Sequence, residues 1–96
     1  MSDDKGTFSI RLMDEHGRPV SDRKITIHYG FMRGVGSEYT DDDGWAEFPT
    51  NGYSDVKTIW ADEYNNDTLI TSRSVELSSS KVIYAGAKFS YVIQDG

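Results

Sequence analysis

Apolar and polar residues alternate with a period of two along most of this chain. Phe8, Ile10 and Leu12 alternate with Ser9, Arg11 and Met13, and Ile25, Ile27 and Tyr29 alternate with Thr26 and His28. Each run is the pattern of a strand with one buried face. Val56 to Ala61, Thr68 to Glu76, Lys81 to Ala85 and Phe89 to Ile93 add four extended segments, the second diluted by Thr71, Ser72 and Ser74. No stretch carries the 3.6-residue period of a helix. Short strands broken by frequent turns predict an all-β fold of about seven to eight strands, a small barrel or, in preference, a single antiparallel β-sandwich for which Greek-key connections are one option.

The punctuation between the strands is chemically specific. Asp14-Glu15-His16-Gly17-Arg18-Pro19 is a turn cluster in which Gly17 supplies positive φ and Pro19 fixes its own. Gly30, Gly34 and Gly36 mark a loop around Phe31, Met32 and Val35. The sharpest signal is Asp41-Asp42-Asp43-Gly44 between Ser37–Thr40 and Trp45–Phe48, which predicts a hairpin. Pro49 closes its second strand, because proline donates nothing to a ladder. Thr50-Asn51-Gly52-Tyr53 turns, Asp62 to Asp67 reads as a polar loop, Ser78 to Ser80 turns again, and Gly86 marks a bend.

Composition narrows the class. Ninety-six residues suit one domain over 1–96, with the polar residues 1–6 as a flexible lead. There is no cysteine, so neither a disulfide nor a thiolate site contributes. A formal net charge of -6 with scattered lysines and arginines disfavours nucleic acid as a partner. No apolar run reaches the roughly 20 residues of a membrane-spanning helix. The opening Met1-Ser2-Asp3-Asp4-Lys5-Gly6 is not a signal peptide, which leaves a cytoplasmic protein or a domain of an exported chain.

Three segments together resemble the prealbumin-like sandwiches, among them the carboxypeptidase regulatory-like, collagen-adhesin B-type and invasin-type immunoglobulin-like modules of bacterial proteins. Asp14 to Val20 is similar to their opening D-x-x-G-x-P-V turn. Thr40 to Phe48 resembles their T-D-x-x-G-x-a-x-F segment, and Gly52-Tyr53 their G-Y before an apolar strand. The resemblance spans residues 7 to about 61 and implies a prealbumin-like β-sandwich, a fold that hosts many roles. Pilin-type relatives carry a lysine–asparagine isopeptide crosslink. Here the first strand holds Arg11 and the last strand has no asparagine, so no crosslink is expected. Transthyretin-like hydrolases end in Tyr-Arg-Gly-Ser, whereas this chain ends Tyr91-Val92-Ile93-Gln94-Asp95-Gly96, so that activity is disfavoured.

Catalytic candidates are thin. His16 falls in a turn and His28 on the polar side of its strand, with no nucleophile motif nearby. Asp41 and Asp43 are hard oxygen ligands and form a weak calcium alternative, but their spacing fits no EF-hand pattern. No cofactor is expected. Aromatic residues are more informative: Phe8, Tyr29, Phe48 and Phe89 suit the core, Tyr53 an anchor whose hydroxyl bonds back to the chain. If Phe48 points inward, Trp45 points outward, with Tyr39 across the hairpin. The expected binding surface is the glycine-rich Gly30–Gly36 loop, with Met32 and Arg33 at its tip, together with Tyr39 and Trp45. The expected role is a non-catalytic binding or spacer module with a protein or carbohydrate partner. Self-association through an edge strand stays open.

Overall fold

Alternation dictates which side of a half-buried strand faces the core, and the computed structural model, which describes residues 6–65 and 68–93, follows it over residues 7–13, 24–30 and 45–49. Among the described residues nine strands form: β1 (Thr7–Met13), β2 (Lys24–Gly30), β3 (Gly34–Tyr39), β4 (Trp45–Pro49), β5 (Asp55–Val56), β6 (Thr58–Asn65), β7 (Thr68–Ser78), β8 (Lys81–Val82) and β9 (Lys88–Val92). They make a three-stranded sheet in the order β4-β1-β9, a four-stranded sheet in the order β3-β2-β6-β7, and a small β5-β8 pair. The all-β sandwich is therefore as the pattern predicts. Ladders are antiparallel except one: β1 and β9 run parallel, with Ser9 beside Lys88 and Met13 beside Val92.

The core is the space between the two larger sheets. Phe8, Ile10 and Leu12 of β1 with Ala46 and Phe48 of β4 face Ile25, Ile27 and Tyr29 of β2 with Ile59 and Ala61 of β6. Val56, Ile83, Ala87 and Ile93 plug the ends. Phe8 stacks on Phe48 at 5.7 Å and meets Phe89 edge-on at 6.2 Å, arrangements that aromatic quadrupoles favour. Truncating a ring such as Phe8 in so closed a core costs about 3–5 kcal/mol.

Local boundaries depart from the sequence pattern in instructive ways. The segment over residues 56–61 divides, because Lys57 donates its N–H to the His28 carbonyl and the chain steps from the β5–β8 pair into the large sheet. The expected polar loop from Asp62 is strand as far as Asn65, and residues 66–67 lie outside the described residues. The expected strand Lys81–Ala85 shortens to Lys81–Val82, with Ile83 turned into the core. The glycine-rich loop is also shorter than expected. β3 begins at Gly34, so only Phe31, Met32 and Arg33 turn.

The largest correction concerns Thr40–Gly44. β3 and β4 do not pair: β3 bonds β2 in one sheet and β4 bonds β1 in the other. The turn is a corner that carries the chain from sheet to sheet. Its chemistry is nonetheless what the sequence implies. Asp41 Oδ1 accepts the N–H groups of Asp43 and Trp45 at 2.9 and 3.0 Å, and Gly44 sits at φ +85°. Asp14 Oδ1 does the same for His16 and Arg18 at 2.8 and 2.9 Å, with Gly17 at φ +81°. One turn design is thus used twice. Thr40 locks the corner in place: buried, it donates to the Val20 carbonyl at 2.7 Å and accepts the Arg23 N–H at 3.0 Å.

Candidate functional site

The β2–β3 turn is the feature whose residues are hardest to explain by folding alone. Arg33 N–H closes it on the Gly30 carbonyl at 3.0 Å. Between them Met32 adopts φ +62°, a left-handed conformation that costs a side-chain-bearing residue about 1–2 kcal/mol and that glycine adopts freely. Phe31 and Met32 are 91% and 87% exposed. Two large apolar side chains therefore stand in solvent on a strained turn, which is a cost without a return inside the molecule.

Behind this tip the structure is firm. Arg33 does not project outward with Met32. Its Nη1 donates to Asp55 Oδ1 at 2.8 Å and to the Tyr29 carbonyl at 3.3 Å, and its guanidinium lies 4.9 Å over the Tyr53 ring. Tyr53 in turn packs on Tyr29 with ring centroids 5.4 Å apart. The hydroxyl-to-backbone anchor expected of Tyr53 is made by Tyr29, whose OH donates to the Pro49 carbonyl at 2.6 Å. Burial, and secondarily the neighbouring Tyr53, raise the Tyr29 pKa above the usual tyrosine value. Strand β2, the Tyr29–Tyr53 pair and the Arg33–Asp55 ion pair so form a rigid base under the turn.

Two shallow depressions flank that base. One of about 210 Å³ lies between Phe31, Arg33, Asp55 and Lys57. The other, of about 480 Å³, lies between the Thr50–Ser54 loop and Ile83, Tyr84 and Ala85. Tyr84 is exposed at its rim. The sequence points to the Gly30–Gly36 loop with Met32 and Arg33 at its tip but gives Tyr53 and Asp55 no part in the surface. The available signal was Phe-Met between two glycines, four residues apart, which isolates a pair of apolar residues on a turn.

Tyr39 and Trp45 are not part of this surface, and they do not pair with each other. Tyr39 lies opposite Lys24 on the outer face of the β3-β2-β6-β7 sheet. Trp45 lies opposite Arg11 on the outer face of the other sheet. There its ring is flanked by the Arg11 guanidinium at 5.5 Å and the Lys88 ammonium at 5.6 Å, two cation–π contacts that half cover it. Expecting Tyr39 beside Trp45 failed because it assumed a hairpin, and the corner puts the two strands in different sheets.

The acidic turns are structurally committed. Asp41 uses Oδ1 to hold its own turn, and the Asp43 carbonyl accepts from Arg11 Nε at 3.0 Å. Among the described residues no three His, Asp or Glu side chains gather as a metal-ion set. His16 is exposed in the β1–β2 turn, and His28 is exposed on the outer face of β2. Among the described residues no helix is long and apolar enough to cross a membrane. The class reached here is an all-β sandwich. The chain matches no protein-family model and no curated protein sequence.

Proposed function

We propose that this chain is a non-catalytic β-sandwich module of the prealbumin-like kind that binds a protein partner through its β2–β3 tip. The observation that carries the reading is the pair Phe31–Met32, almost fully exposed on a turn where Met32 is held at φ +62°. A convex apolar tip over a rigid base suits insertion into a pocket on another protein, where a Phe and an adaptable Met bury area at modest entropic cost. The adaptable, apolar Met32 standing beside Phe31 at the apex favours a protein partner over a carbohydrate. The resemblance of the two Asp-Gly turns to those of bacterial modules supports a place in a surface or secreted assembly.

The strand order bears on the kind of sandwich. In an immunoglobulin constant-type domain the first two strands share a sheet. Here β1 and β2 lie in different sheets. That favours the prealbumin-like half of the resemblance over the immunoglobulin-like half.

A double variant, Phe31→Ser with Met32→Gly, tests the proposal in a pull-down from extract of the source organism. Glycine at position 32 relieves the left-handed strain, so the variant should melt no lower than the parent and up to about 1 kcal/mol more stable. Loss of the retained partner from this well-folded variant is the expected result. Retention equal to the parent's overturns the assignment.

A further inference from the structure

We propose that β3 is a homodimerisation edge, on which two copies of this chain pair antiparallel about a two-fold axis through Ser37. This stands apart from the tip reading, because it uses the backbone of Gly34–Tyr39 and not the Phe31–Met32 apex.

The first support is that β3 is an edge strand with neither lysine nor proline, its ladder irregularity confined to the end next to Gly34 and its one charge being Glu38. It ends the four-stranded sheet, pairing only with β2 among the described residues. Five of its six residues are exposed. Natural edges are blunted by lysine, proline or brevity. The edge strand β4 ends in Pro49, and the edge strand β9 begins with Lys88. β3, Gly-Val-Gly-Ser-Glu-Tyr, has neither residue. Val35 is 60% exposed, and Tyr39 is exposed as well.

The second support is the phase of the ladder. Thr40 donates its N–H to the Arg23 carbonyl at 3.0 Å, one register step beyond Tyr39 opposite Lys24. Backbone groups alternate in direction along an antiparallel strand. Those of Gly36 and Glu38 therefore face β2, and the N–H and C=O of Val35 and Ser37 face the open side. Ser37 thus presents a donor and an acceptor together, which is what a hydrogen-bonded pair on a two-fold axis requires.

The third support is that the side chains match themselves in that register. With Ser37 on the axis, Val35 lies beside Tyr39 of the second copy, and Glu38 beside its Gly36. Val35, Ser37 and Tyr39 share the outer face, opposite His28, Thr26 and Lys24 respectively. The aromatic–β-branched pair occurs twice and is favourable in sheets. The single charge of the strand meets a glycine rather than its own image, so no like charges oppose. The product is one continuous eight-stranded sheet. Its buried area is at the low end for protein interfaces, so the dimer is a weak one.

The absence of cysteine makes the test clean, since one introduced thiol is the only one present. Ser37→Cys places a thiol on the axis, and Ser90→Cys places a control thiol on the outer face of the other sheet, opposite Arg11. Treated with a short bis-maleimide, Ser37→Cys should give covalent dimer roughly tenfold or more faster than Ser90→Cys, because pairing raises the effective concentration of the second thiol. Sedimentation equilibrium of the parent chain should show mass rising toward the dimer across a series up to about 1 mM. Val35→Lys, which protects the edge, should remain monomeric with an unchanged melting temperature. Equal crosslinking of the two thiols, or a parent chain monomeric throughout that series, overturns the proposal.

Discussion

Asp14 and Asp41 show how much a single side chain can decide. Each spends one carboxylate oxygen on two backbone N–H groups of its own turn. At Asp14 the hydrogen bond from the Arg18 N–H, with help from His16 and the Arg18 charge, outweighs desolvation and lowers the pKa below 3.8. A carboxylate with a depressed folded-state pKa contributes stability above its unfolded pKa and loses it as pH falls through the folded value. Asp14→Asn keeps the shape and removes the charge. Its melting temperature should fall below the parent's at pH 6, and the gap should close as both are titrated below the ordinary aspartate range. A gap that persists unchanged in acid counts against a role for the charge. This turn chemistry was legible in the sequence, because Asp and Gly three apart state the mechanism themselves. Met32 was legible only as an apolar residue on a loop. Its left-handed backbone depends on how the turn closes, and no residue type announces that.

Among the elements, the corner between β3 and β4 joins two strands that lie in different sheets. Alternation identified both strands, and Asp41–Gly44 identified the turn. A tight turn between two strands, however, has two outcomes: pairing within a sheet or crossing to the opposite one. The difference rests on long-range partners, here Thr40 bonded to Val20 and Arg23. Gly44 adds a constraint beyond its φ of +85°. A Cβ there would stand 2.5 Å from the Leu12 carbonyl oxygen, which lies on β1 next to the core. The backbone of the corner is pressed against the backbone of the strand it joins, and the Leu12 N–H bonds the Gly44 carbonyl at 2.9 Å. Gly44→Ala should therefore cost more than the roughly 1 kcal/mol of left-handed strain alone, on the order of 3 kcal/mol. Gly17→Ala is the matched comparison, since open space surrounds Gly17 at nearly the same φ. Chemical denaturation of the two variants checks the difference, and equal losses would show that the close approach is relieved without cost.

At the scale of the whole molecule, the division into two sheets and the class of fold follow from the pattern, but the neighbour relations do not. A period of two says which face is wet. It does not say that β1 lies between β4 and β9, because ladder bonds use backbone groups common to every residue. The candidate surface was half visible for the same reason: Met32 and Arg33 are local to one turn, whereas Tyr53 and Asp55 reach it only through the packing of Tyr29 and β5. The parallel pairing of β1 with β9 also has a mechanical consequence. Thr7 at the start of β1 and Val92 at the end of β9 lie at opposite ends of the same ladder. Tension applied between those two points slides the strands past each other, so every bond between them bears the load at once. Tension between Thr7 and Pro49, which are direct partners at one end of the β1–β4 ladder, opens the bonds in succession. Single-molecule pulling through cysteine handles should record a rupture force severalfold higher for the first geometry than for the second, and comparable forces would mean that the load is carried elsewhere. Along the axis from Thr7 to Val92, a pull loads the β1–β9 ladder in shear.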